Sequence, residues 1–234
     1  MVIGAPRGVV LDLDDTLYLE RDYVRSGFAA VGAHVAARSD SDAAQVADHL
    51  WRRFTSGEWG SHFDDLLASD PALSGRVEVL ELVEVYRHHV PEIDLLPGVR
   101  DLLADLRGAG RRTAVISDGA LVGQQQKVRA LGLEELVDGP VVLTDVWGRE
   151  GWKPHPRAFL HVAQAWGLAP EDLVYVGDNP HKDFDAPRDL GWSCVRMRMP
   201  GQLHQEVEDR LDPDVTVDSW AGLAEVLSVT PRLT

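Results

Sequence analysis

From Leu96 onward two hydrophobic periods alternate along the chain, and no other feature restricts the possible folds as much. Apolar runs at 113–116, 140–143, 173–176, 193–197 and 215–217 have the length and composition of strands. Several are apolar at every position, as strands covered on both faces are. Between them, 97–106, 121–131, 156–166, 184–190 and a last stretch through Leu227 have helical spacing. Three of these close on glycine, at Gly132, Gly167 and Gly191, a common helix stop. Val9, Val10 and Leu11 supply one more buried-type strand upstream. Repeated strand–helix units imply an α/β fold with a parallel sheet and helices on both faces. Functional groups in such sheets lie beyond the carboxyl ends of the strands.

Residues 18–94 interrupt that pattern. Val24, Phe28, Val31 and Val35 recur at helical spacing, as do Val46, Leu50 and Phe54, and the stretch 79–86 is strongly apolar. Turn chemistry at 56–61 and 69–71 separates these segments. So long a stretch is too large for a loop. The expected organisation is a core of 1–17 and 95–234 with an inserted all-helical cap domain of 18–94.

Four segments carry groups that suit chemistry, three of them at strand ends. After the first strand comes Asp12-Leu13-Asp14-Asp15-Thr16-Leu17. If the strand continued, Asp12 and Asp14 would share a face ~7 Å apart. At that distance two ionised carboxylates repel by about 2 kcal/mol, which a cation between them or a retained proton would relieve. A solvated acidic turn is the plain alternative. Ser117-Asp118-Gly119 follows the second strand, and there a serine serves equally as a helix N-cap. Gly151-Trp152-Lys153-Pro154-His155-Pro156 precedes a helix, where the helix dipole disfavours a lysine that has no other task. Val176-Gly177-Asp178 leads to Asp183, with glycine permitting a sharp exit from the strand.

In order and spacing these segments resemble the four motifs of the haloacid dehalogenase superfamily, whose phosphotransferases use an aspartate nucleophile. The resemblance implies a Rossmann-like core and a phosphatase that hydrolyses a small phosphate ester, of sugar or nucleotide-like type, through an aspartyl-phosphate. It makes Asp12 the nucleophile and Asp14 the acid and base. Ser117 and Lys153 become the groups that hold the phosphoryl oxygens. It also implies Mg²⁺, a hard cation that takes oxygen ligands, held by Asp12, the backbone carbonyl of Asp14, and Asp178. Asp183 would orient the metal's water or Lys153. Asp118 departs from the family's usual asparagine and, with Gly119, is placed at the substrate. Asp14 sets the chain apart from the dehalogenases, which lack a second acid. The absence of any lysine from 18–94 sets it apart from the phosphonate-cleaving members. A phosphomutase and a non-catalytic regulatory protein on the same scaffold stay open as alternatives.

Charge and composition narrow the partners. A net charge of −15 argues against nucleic acid and anionic membrane as partners. No apolar run approaches the ~20 residues of a membrane span. With one cysteine, Cys194, and no signal-like apolar stretch near Met1, the expected location is cytoplasmic. Among 23 basic residues only Lys127, Lys153 and Lys182 are lysines, so these positions are marked as needing a compact ammonium. The motifs touch only a phosphoryl group, so substrate choice is expected from Arg21, Arg52 and Arg53, with Arg25, Trp51, Trp59 and His62 nearby in sequence.

Overall fold

A computed structural model describes residues 3–57, 60–73, 75–209 and 213–229. Trp59 lies outside the described residues. The chain divides into two compact units, 1–21 with 94–234, and Asp22–Ile93.

The larger unit is built on six strands: β1 (Gly8–Leu11), β2 (Arg112–Ser117), β3 (Val141–Leu143), β4 (Leu173–Gly177), β5 (Ser193–Met197) and β6 (Val215–Val217). They form one sheet in the order β3-β2-β1-β4-β5-β6, with every pairing parallel. Its helices are α5 (Val99–Gly108), α6 (Leu121–Leu131), α7 (Leu133–Leu136), α8 (Arg157–Trp166), α9 (Asp185–Asp189) and α10 (Trp220–Val226). Register explains the layering. Val10, Ala114, Tyr175 and Cys194 stand side by side across four strands and pack with Ala158, Phe159 and Val162 of α8 and Ala186 of α9. Alternate residues, such as Val9, Val115 and Val174, turn the other way, toward the side of α5 and α10. This Rossmann-like arrangement places its switch point between β1 and β4, because the chain runs from β1 outward to β3 and then returns to β4.

The smaller unit holds α1 (Glu20–Ala36) from Asp22 onward, α2 (Ala43–Thr55), α3 (His62–Ser69) and α4 (Val79–His88). Phe28 sits at its centre, edge-on to Phe54, His62 and Phe63. Asp42 caps α2 by accepting the Gln45 amide at 2.9 Å. Among the described residues no helix is long and apolar enough to cross a membrane.

Candidate active site

Both strands of the switch point end in an acid. Asp12 follows β1 directly, and its amide donates to the Val176 carbonyl at 2.8 Å, so the sheet itself fixes its backbone. Asp178 follows β4. Gly177 is required there, because a Cβ at that position would lie 2.5 Å from Asp183 Oδ2. Carboxylate oxygens of Asp12, Asp178 and Asp183 lie within 4.8 Å of one another, and all three residues are buried.

Lys153 joins this group. Its Nζ donates to Asp12 Oδ1 at 2.5 Å, to Asp183 Oδ1 at 2.8 Å and to the Tyr175 hydroxyl at 2.9 Å. The side chain is 0% exposed. The lysine is thus no surface residue at a helix start, and α8 begins only at Arg157. Burial would lower the affinity of this ammonium for its proton, but Asp12, Asp183 and Asp118 outweigh it and raise its pKa. Asp183 uses both oxygens within the protein, its Oδ2 accepting the Asn179 amide at 2.9 Å. Burial pushes its carboxyl up, yet Lys153 and Lys182 hold it below the ordinary range. For Asp178 burial comes first, then Asp183 and Asp12, and its carboxyl is pushed well up.

Asp12 Oδ2 is buried and has no hydrogen-bond partner among the described residues, and Asp178 and Asp183 crowd further carboxylates beside it. Burial first, then Asp183, pushes the Asp12 carboxyl up to about 6, against the pull of Lys153. An orphaned carboxylate oxygen facing two further acids suits a hard cation with oxygen ligands. The donor set therefore fits a divalent metal.

Asp14 is placed differently from the same-face expectation. The strand stops at Leu11 and the chain turns, so the alternation does not carry through to residue 14. Its carboxylate lies outside the acid cluster. Oδ1 accepts from Lys127 Nζ at 2.6 Å and from the Tyr18 hydroxyl, and Oδ2 accepts from Gln124 Nε2 at 2.7 Å. Burial alone would raise the Asp14 carboxyl, but Lys127, Tyr18 and Gln124 hold it below its ordinary value. The side chain is thus no member of a metal-ligating set, and only the backbone carbonyl remains for that expectation.

Ser117 ends β2 in full burial, with its hydroxyl 3.4 Å from Asp14 Oδ2. It does not cap α6, whose N-cap position is Ala120 and whose first amide, at Leu121, is taken by Asp145 at 3.0 Å. Asp118 faces protein groups. Its Oδ1 accepts from Thr144 Oγ1 at 2.7 Å and from the Lys153 amide at 3.1 Å, and Lys182 Nζ stands 3.6 Å from Oδ2. Through Oδ1 the residue ties the Lys153 loop to the end of β2. Gly119 has φ 134°, and a Cβ there would press within 3.0 Å of Gln124, so its role is to admit that side chain.

The expected specificity residues form no cluster of open donors. Arg53 is bound to Asp65 at 2.5 Å, and Arg52 donates to the Asp48 carbonyl at 3.3 Å. Trp51 stacks on Phe54, with the Arg25 guanidinium 4.6 Å from its ring. Arg21 belongs with the larger unit and Arg52 and Arg53 with the smaller.

Several residues at the site escaped the sequence reading. Lys127, Gln124, Tyr18 and Tyr175 are among them, as is the segment after β5. There Leu203 N donates to Asp15 Oδ2 at 2.6 Å, Gln202 Nε2 donates to the Asp15 carbonyl at 2.6 Å, and His204 Nδ1 lies 3.2 Å from Asp178 Oδ2. Arg196, 0% exposed, ties that segment down through Asp209 and the His204 and Asp178 carbonyls. Only the scarcity of lysine hinted at any of this: all three lysines of the chain stand against acids of the site.

Comparison with known proteins agrees in family and fold. The haloacid dehalogenase-like hydrolase family profile matches residues 6–191. A glyceraldehyde 3-phosphate phosphatase of Methanocaldococcus jannaschii is 28% identical, over 94% of this chain and 96% of that one. Another, from Methanopyrus kandleri, is 30% identical over 94% and 97%. Among solved structures, a haloacid dehalogenase family hydrolase of Deinococcus radiodurans with bound phosphate and sodium superposes with a TM-score of 0.64 at 24% identity, covering 97% of this chain and 100% of that one.

Proposed function

The chain belongs to the haloacid dehalogenase-like hydrolases, and from that premise we propose that this phosphatase works through an aspartyl-phosphate on Asp12, with a small phosphorylated metabolite as substrate. The observation that carries the reading is the pairing of Asp12 with Lys153. One oxygen of the acid is fixed by a fully buried ammonium and the other has no hydrogen-bond partner among the described residues. A carboxylate so held is oriented for attack, and the same lysine can take up charge on the phosphoryl oxygens.

In the first step an Asp12 oxygen bonds to phosphorus as the bond from phosphorus to the ester oxygen breaks. The leaving oxygen takes a proton from Asp14. In the second step a water oxygen bonds to phosphorus, its proton passes to Asp14, and the Asp12–phosphorus bond breaks to release inorganic phosphate. Having given up its proton, Asp14 enters the second step ionised, the state its donors favour. A phosphoryl dianion beside Ser117 adds like charge near Asp14 and raises that affinity for the first. Ser117 and Lys153 hold the phosphoryl oxygens.

Asp12, Asp178 and the Asp14 carbonyl would hold Mg²⁺, with Asp183 keeping Lys153 in place. The cation supplies electrostatic stabilisation of the transferring phosphoryl group. Glyceraldehyde 3-phosphate is the first substrate to try, since relatives of similar length bear that name. Discrimination among leaving groups is assigned to residues outside the motifs. Arg21, Arg52 and Arg53 are its basic candidates, and Arg53 would have to exchange Asp65 for substrate.

The test is phosphate release from a panel of phosphorylated metabolites by wild type and Asp12→Asn. The variant keeps the size of the side chain and loses the nucleophile, so activity should fall below a hundredth of wild type. Activity above about a tenth would remove Asp12 from the mechanism, since such a residue is worth several orders of magnitude in rate.

A further inference from the structure

Lys127 is a buried charge without a task in the steps above. Its side chain is 5% exposed, three residues beyond Gln124 on α6, so the two share one helix face. Burying an ammonium costs several kcal/mol unless it is paired, and the partner at 2.6 Å is Asp14. Asp14 leaves β1, while Lys127 and Gln124 come from the helix after β2, so the contact joins two motifs that lie far apart in sequence. Neutralising the acid would need only the lysine. Here there are four donors, and they treat the two oxygens unequally. Oδ1 takes the Lys127 ammonium and the Tyr18 hydroxyl, and Tyr18 is itself 0% exposed, with its ring centre 5.9 Å from Lys127 Nζ. Oδ2 takes only neutral donors, the Gln124 amide at 2.7 Å and the Ser117 hydroxyl at 3.4 Å.

We propose that Lys127, Gln124 and Tyr18 are positioning residues that immobilise Asp14 through Oδ1 and present Oδ2 beside Ser117 as the oxygen that exchanges the proton. The proposal rests on the reading of Asp14 as acid and base. Gln124 reaches its place because residue 119 is glycine. Ser117 also accepts from Gln124, so one amide aligns the phosphoryl-holding hydroxyl and the proton-carrying acid together. The three side chains act on the leaving group and the attacking water, and do not touch the phosphoryl group itself.

That division yields a readout which loss of stability alone would not produce. Lys127→Met keeps the length of the side chain and removes the charge. An alkyl phosphate such as glyceraldehyde 3-phosphate needs a proton on its leaving oxygen, whereas 4-nitrophenyl phosphate expels a stable phenolate without one. In Lys127→Met, kcat on the alkyl ester should fall about 30-fold or more, which corresponds to roughly 2 kcal/mol. The first-turnover burst of nitrophenolate should stay within about 3-fold of wild type, and phosphorylated enzyme should accumulate because the second step is slowed. The dissociation constant of either ester, read from the concentration dependence of the single-turnover rate, should move less than about 3-fold, as binding is not the step affected. Proportional loss of the single-turnover rate on both esters, or no loss, overturns the proposal. If Lys127→Met does not fold, Tyr18→Phe removes one neutral donor from Oδ1 and must show the same split at smaller size; absence of the split there overturns it equally. Asp12→Asn is run alongside. An active Asp12→Asn defeats the underlying reading, whereas an inactive one with proportional losses in the other variants defeats only the positioning role.

Discussion

Lys153→Met is the substitution whose consequences follow most directly from the site. It removes three hydrogen bonds to Asp12, Asp183 and Tyr175 and leaves Asp12, Asp178 and Asp183 buried together without their lysine. Removing one partner of a buried ion pair costs about 3–5 kcal/mol, because the remaining charge has no compensation. For a chain of 234 residues that corresponds to a melting temperature lower by roughly 6–20 °C. The pH dependence has a definite sign. Asp12 already has its carboxyl raised to about 6, and loss of the lysine raises it further. A carboxyl whose pKa is raised in the folded state favours folding when protonated and loses that contribution as pH rises. The variant should therefore recover on acidification, and the gap to wild type should narrow between pH 7.5 and pH 5. Added Mg²⁺ should stabilise the variant more than the wild type, since the cation neutralises the same acids. The assay is thermal unfolding of both proteins, with chelator and with Mg²⁺, at the two pH values. A drop under about 3 °C in chelator at pH 7.5, or an equal gap at both pH values, would refute the claim that Lys153 is the counter-charge of the cluster.

Metal binding should release a proton from Asp12: with its carboxyl at about 6, calorimetric affinity for Mg²⁺ at pH 5 should be about tenfold or more below that at pH 7.5, and equal affinities would contradict the assigned ligand set. Asp118→Ala should cost about 1–3 kcal/mol, because the Lys153 amide and Thr144 hydroxyl lose their acceptor, whereas Asp118→Asn keeps one oxygen and should cost far less. Equal denaturant midpoints for the two variants would show that Asp118 is not the tie described. Chelation should abolish phosphate release and Mg²⁺ should restore it, while full turnover in a metal-free preparation would end the cation's part in the account.

How far the sequence carried the reading differs by element. Strands such as 173–176 and helices such as 121–131 were legible because burial on both faces and glycine stops leave local marks. The eight-residue α3 lies between two turn segments and is too short for its period to stand out. Asp12, Lys153, Asp178 and Asp183 were legible as candidates because each follows a strand or precedes a helix within a recognisable string. Lys127 and Gln124 sit in the middle of an ordinary amphipathic helix, and only the register of β1 against β2 brings them to Asp14. Arg196 reads as a polar break in an apolar strand, and its partner Asp209 lies in the irregular segment beyond. The alternation that would align Asp12 with Asp14 failed because the strand ends one residue before the first of them.

The central claim is that Asp12 carries the phosphoryl group between the two steps. Asp14→Asn, which cannot deprotonate the attacking water, is mixed with 4-nitrophenyl phosphate, quenched in acid and digested, and the peptides are weighed. One phosphoryl group on the peptide containing Asp12, absent from an Asp12→Asn control, is the result the account predicts. An unmodified Asp12 peptide from an enzyme that has released nitrophenolate, or a phosphoryl group on another residue, would contradict it.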